Sequence, residues 1–74
     1  MRFSLVLLDP PYQQGLLIAA LQDLIKADIL ETGALIVCER ALEEEWEVPA
    51  GYTLLKDKTC GLVAFSVLQK EEQQ

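Results

Sequence analysis

Asp9-Pro10-Pro11-Tyr12 is the stretch of this sequence whose residue types and spacing suggest chemistry. A carboxylate, two residues without amide donors and a phenol ring follow one another directly. The segment therefore offers hydrogen-bond acceptors and a flat ring on a stiff backbone. The plainer reading is a structural turn, with Asp9 and the prolines ending a strand and Tyr12 packing on the surface. At average residue frequencies this tetrapeptide arises by chance in a chain this short on the order of a few times in ten thousand. Accident is a weak explanation.

Other reactive residues carry less. Cys38 and Cys60 lack C-x-x-C spacing, and the chain has no histidine to complete a metal site with them. A disulfide is possible on count alone. Two buried free thiols are the better expectation, because free Cys behaves as a small hydrophobe. Glu39 ends an apolar run where a ligand could be touched, but capping or solvation is the commoner role. The Glu43–Glu45 run reads as a solvated face, and Trp46 as a core residue.

The elements that must position the motif follow from the apolar pattern. Phe3–Leu8 is a nearly continuous apolar run that the two prolines stop. A strand apolar on both faces belongs in the covered middle of a parallel sheet. Gln14 to about Ala27 reads as a helix, with Leu17, Leu21 and Leu24 recurring at spacings of four and three beside Ala20 and Ile25. Asp28 to Gly33 closes it, Gly33 supplying the turn, and Ala34–Glu39 is a second buried strand. Strand, helix, strand over this length is a βαβ unit. Arg40–Glu47 is acidic and suits a short exposed helix anchored by Trp46, which Pro49-Ala50-Gly51 breaks. Tyr52 to about Lys58 and Gly61 to about Leu68 form a hairpin turning near Thr59-Cys60-Gly61. Lys56, Asp57 and Lys58 suit an outer, edge-guarding strand. Leu62, Ala64 and Leu68 on one face and Val63, Phe65 and Val67 on the other make the later strand the inner, covered one. Residues 1–68 are expected as one partial domain, and Gln69–Gln74 as a polar, frayed tail.

Composition narrows the function. Seventy-four residues, half of them apolar, make one small domain or a piece of a larger one rather than a disordered chain. No apolar run reaches the roughly 18 residues of a membrane span, and no cleavage site follows the first strand, so a cytoplasmic location without membrane contact is expected. Net charge is −6, and the six basic residues, Arg2, Lys26, Arg40, Lys56, Lys58 and Lys70, are scattered along the sequence. Phosphate-driven binding needs clustered cations, so the segment alone reads as a poor nucleic-acid binder.

Asp9-Pro10-Pro11-Tyr12 resembles the [D/N/S]-P-P-[Y/F/W] motif of S-adenosylmethionine-dependent methyltransferases that act on exocyclic amino groups. The phrase LVLLDPPY, the G-A-L-I-V-x-E strand at Gly33–Glu39 and the hairpin beginning K-x-x-x-C-G are similar to the small-subunit rRNA guanine-N2 methyltransferases of the RsmD type. The likeness covers nearly the whole chain. It departs from the family pattern at Cys60, where an aromatic residue is usual before the hairpin glycine. The resemblance implies an α/β fold: the C-terminal half of a class I, Rossmann-like methyltransferase sheet. In it a βαβ unit is followed by an antiparallel hairpin whose last strand is inserted beside the second. It also implies roles. An aromatic amine is a poor nucleophile because its lone pair is delocalised. In the family's mechanism the Asp9 carboxylate and the Pro10 carbonyl would accept the two N–H bonds and aim that lone pair, Pro11 would stiffen the loop, and Tyr12 would stack on the base.

The cofactor implied for a complete enzyme is S-adenosylmethionine, held by a glycine-rich loop and an acidic strand end. Gly15, Gly33, Gly51 and Gly61 form no G-x-G arrangement. The chain is therefore expected to be inactive alone and to bind the cofactor weakly at most, with Asp9 at the pocket margin. Expected partners are a missing N-terminal half, or a second copy through the unpaired Phe3–Leu8, with rRNA as substrate of the complete enzyme. Two alternatives stay open: half of a DNA adenine or protein glutamine methyltransferase, and a non-enzymatic self-associating or assembly module.

Overall fold

The computed structural model describes residues 2–9, 15–42 and 46–72. Strand β1 (Phe3–Leu8) leads through helix α1 (Leu16–Lys26) to β2 (Leu30–Ala41), and β3 (Tyr52–Cys60) and β4 (Val63–Lys70) follow. The sheet order is β1-β2-β4-β3. β1 runs parallel to β2, and β4 is antiparallel to both of its neighbours. The βαβ unit and the inserted last strand are thus both present.

Alternation sorts the side chains. Ala34, Ile36, Cys38 and Arg40 of β2, with Ala64, Ser66 and Leu68 of β4, point inward and are buried. Against them α1 lays Leu17 and Leu21 and Tyr52 adds its ring, while Val6, Leu8, Leu24, Ile25, Trp46 and Val48 close the margin. Each large apolar side chain fully buried this way contributes about 1.5–3 kcal/mol. Tyr52 also donates its hydroxyl to the Leu21 carbonyl at 2.7 Å, tying β3 to α1. No helix among the described residues is long and apolar enough to cross a membrane.

Several expectations change. β1 is the terminal strand of the sheet, as expected of an unpaired Phe3–Leu8 and unlike the covered middle place that its apolar pattern alone suggests, and Phe3, Leu5 and Leu7 are 50%, 57% and 72% exposed. Its apolar outer face is bare because no element described here packs there. β2 begins four residues earlier than Ala34: Gly33, at φ 83°, kinks the strand where the β1–β2 register shifts, rather than ending a loop. Arg40, expected in an acidic surface helix, is buried within β2. The hairpin tip is Gly61-Leu62, so Leu62 is 87% exposed instead of lining the inner strand. Cys60 is exposed, because β3 is an edge strand with nothing over its end; Cys38 is buried, and both thiols are free. β4 runs through Lys70, two residues into the expected tail, because Tyr52 pairs with Lys70 and shields it. Gln14 and Glu43–Glu45 lie outside the described residues.

Candidate functional site

The carboxyl ends of β1 and β2 meet at one edge of the sheet. Leu8 pairs with Cys38, which brings Asp9 level with Glu39 on the neighbouring strand. Asp9 is exposed there. Pro10, Pro11 and Tyr12 lie outside the described residues. The chain is next described at Gly15, whose left-handed φ of 86° turns it into the first turn of α1. The β3–β4 tip reaches the same edge: the Leu42 amide donates to the Leu62 carbonyl at 3.0 Å. Asp9, Glu39, Leu42, Cys60 and Leu62 therefore line one rim. In α/β sheets this carboxyl edge is where ligands bind.

Behind the rim lies a cluster that the sequence did not disclose. Arg40 is 9% exposed. Its Nη2 donates to Asp57 Oδ2 at 3.0 Å, and its Nε to Ser66 Oγ at 3.4 Å. Ser66 in turn donates to Asp57 Oδ1 at 2.8 Å. The guanidinium also lies over the Trp46 ring, 5.3 Å from its centroid. One cation thus joins β2, β3, β4 and the 46–51 connector. A β-bulge makes this possible. Between Leu54 and Lys56 the β3–β4 register shifts, so Asp57 faces Ser66. In an unbroken ladder Lys56 would take that place, beside Arg40, and two cations would face each other. Alternation alone put Asp57 in a charged edge run; the extra residue at Leu55 is the weak signal that could have revealed its inward turn.

An open cleft of about 820 Å³ lies against this cluster, lined by Trp46, Val48, Leu54, Asp57 and Ile18 of α1. Burial pushes the Cys38 thiol up to about 11. Burial, with Cys38 adding to it, pushes the Tyr52 phenol up to about 12. Both stay protonated near neutrality, so neither serves as a base or nucleophile there. Among the described residues no group of three His, Cys, Asp or Glu gathers to hold a metal. The four glycines turn the chain at four separate places, the start of α1, the β2 kink, the entry to β3 and the hairpin tip. No two of them share a strand-end loop, so these residues do not form the glycine cradle that S-adenosylmethionine would need.

Comparison with known proteins identifies the lineage. The family model described as Conserved hypothetical protein 95 matches residues 1–69. The chain belongs to that family. The ribosomal RNA small subunit methyltransferase D of Haemophilus influenzae is 36% identical over 67 residues, 90% of this chain and 35% of that protein. A crystal structure of a methylase candidate from H. influenzae superposes with a TM-score of 0.86 at 36% identity, over 95% of this chain and 44% of that one. A proposed methyltransferase from Escherichia coli gives 0.81 at 36% identity, over 95% and 38%. A conserved hypothetical protein from Streptococcus pyogenes gives 0.85 at 30% identity, over 95% and 44%. The resemblance read from the motif, the Gly33–Glu39 strand and the hairpin is therefore shown for the family and for the fold. The chain spans roughly two fifths of the length of these relatives.

Proposed function

We propose that this chain supplies the C-terminal, substrate-orienting side of an S-adenosylmethionine-dependent N-methyltransferase that acts on an exocyclic amine of small-subunit rRNA, guanine N2 being the target the family suggests. The observation that carries this is the position of Asp9: a motif carboxylate at the carboxyl end of β1, on the rim where β2 and the hairpin tip also end. In this reading Asp9 and the Pro10 carbonyl accept the two N–H bonds of the amine, leaving its lone pair directed outward. Pro10 and Pro11 hold the loop, and Tyr12 stacks on the base, an interaction of about 1–3 kcal/mol. Orientation of this kind draws on the roughly 7–11 kcal/mol available to positioning. The methyl donor is held by the part of the relatives' fold that this chain does not span, so no step is assigned to residues here beyond orienting the amine. The N-terminal part would pair with the open edge of β1 and cover the bare outer face of the sheet.

The test joins this chain to the N-terminal portion of the H. influenzae relative and measures transfer of labelled methyl to unmethylated small-subunit rRNA. Transfer is expected, and Asp9→Ala should lower its rate about a hundredfold, the scale of a lost positioning contact. Undiminished transfer by Asp9→Ala would sink the assigned role. Calorimetric titration of the 74-residue chain with S-adenosylmethionine should show no tight binding; a micromolar dissociation constant would contradict the division of labour.

A further inference from the structure

We propose that Glu39 determines which base this site takes, by accepting a hydrogen bond from the ring N1–H beside the guanine amine that Asp9 orients; this deepens the function proposed above and rests on it. The inference begins with strand register. β1 and β2 run parallel with Leu7 opposite Val37 and Leu8 opposite Cys38, so Asp9 and Glu39 come next, side by side where the two strands end. Neighbouring strands lie about 4.7–4.9 Å apart, and the two carboxylates start from about that separation. They also share a side. Cys38 and Arg40 are buried inward, so Glu39 between them projects to the outer side. Leu5 and Leu7 project outward as well, and the same alternation takes Asp9 after them. This pairing persists when the rest of the enzyme covers the outer face, and such a cover would close the corner around its ligand.

Two ionised carboxylates at this spacing repel each other, and both can only accept hydrogen bonds. The ligand edge that answers them presents two donors next to one another. The amine oriented by Asp9 and the Pro10 carbonyl supplies the first. What stands beside the amine differs from one substrate to another. In guanine the ring nitrogen next to the amine carries a hydrogen, the second donor. In adenine and cytosine that nitrogen is a bare acceptor, and in a protein carboxamide a carbonyl oxygen takes its place. Each of these would turn a lone pair towards the Glu39 carboxylate. A site built around a substrate N–H rejects an analogue lacking it by as much as roughly ten-thousandfold, because the site's own polar group is left unpaired. The register of β1 and β2 therefore favours guanine over the adenine and glutamine alternatives. A Glu39 that only solvates the end of β2 would show no preference among these edges.

The test is two-dimensional NMR of the full 74-residue chain, titrated in parallel with the monophosphates of guanosine, inosine, 2-aminopurine riboside and adenosine. Inosine keeps the ring N–H and lacks the amine; 2-aminopurine keeps the amine and lacks the ring N–H. The guanosine nucleotide should shift the signals of Asp9 and Glu39, and the inosine nucleotide should still shift Glu39. The 2-aminopurine and adenosine nucleotides should bind at least about tenfold more weakly than the guanosine one, the scale of one hydrogen bond to a charged group. Glu39→Ala should erase the gap between guanosine and 2-aminopurine. Glu39→Gln, whose amide both accepts and donates, should retain guanosine binding and narrow that gap. Equal binding of the guanosine and 2-aminopurine nucleotides, no shift at Glu39, or a gap that survives Glu39→Ala would overturn the proposal. Inosine separates the two roles. It has no amine for Asp9, so its effect on Glu39 stands even where Asp9 orients nothing, and a missing effect leaves the methyl-transfer test of Asp9 untouched.

Discussion

Cys38 and Tyr52 face each other's element across the core, and both are held in the neutral form by burial. Their folded values, about 11 and about 12, lie above the ordinary values of 9.0 and 10.0 for a thiol and a phenol. A raised acid pKa favours the folded state fully below the unfolded value and loses that contribution as pH climbs to the folded one. Stability should therefore fall between about pH 9 and 12, and chemical denaturation across that window measures it. The same difference separates the thiols: at pH 8 a thiol reagent should modify one cysteine in the native chain, Cys60, and reach Cys38 only on unfolding. Arg40 gives a third outcome at this scale. Asp57→Ala removes the carboxylate and leaves the guanidinium with Ser66 alone. It should cost about 1–3 kcal/mol, since Asp57 is partly solvated. Trp46 is the only tryptophan, so its fluorescence reports whether the cation still lies over the ring.

At the scale of elements, the irregularities carry more information than the regular runs. The β3 bulge decides which of three adjacent charges faces the buried arginine. Deleting Leu55 would leave Leu54 opposite Leu68 and Asp57 opposite Ser66 in an unbroken ladder. That variant should keep the Arg40–Asp57 pair and unfold within about 1 kcal/mol of the parent, a change typical of surface positions; loss of the Trp46 signal would show that the bulge has a further role. Gly51 is different. Its φ of 97° disfavours any side chain, and a Cβ there would meet Ile25 Cδ1 at 3.2 Å. Gly51→Ala should cost about 1–2 kcal/mol and loosen the connector against α1, the helix that follows the motif. Periodicity gave the existence and type of each described strand and helix, but it also read a short helix beginning at Arg40, a residue that belongs to β2. It missed the early start of β2 and the late end of β4, because both extensions rest on pairing with other strands rather than on local apolar pattern.

The whole molecule has one finished face and one unfinished one. The inner core is continuous from Leu17 and Leu21 on α1 to Tyr52 and Leu68, whereas Phe3, Leu5, Leu7, Leu35 and Phe65 remain exposed on the other side. An open edge strand beside a bare apolar face favours pairing with another chain. Equilibrium sedimentation of the chain by itself should reveal self-association at high micromolar concentration, and Leu5→Lys should restore the monomer by placing a charge on that surface. A monomer in the parent would count against β1 as the joining edge.

The sequence by itself determined the motif, the βαβ-hairpin order and the family, because these depend on local residue type and on the periodicity of apolar side chains. Asp9 could be placed after a strand from the prolines alone. What only the tertiary structure decided is the fate of each charge. Arg40, Asp57 and Ser66 are 9 to 26 residues apart in the chain, and Lys58 meets Phe65 only across a strand pair. Whether a charged side chain is buried and paired or free on a surface depends on strand register, and one bulged residue reverses that register. Lys56, Asp57 and Lys58, adjacent in the sequence, are thus divided between the two faces of β3 in the fold.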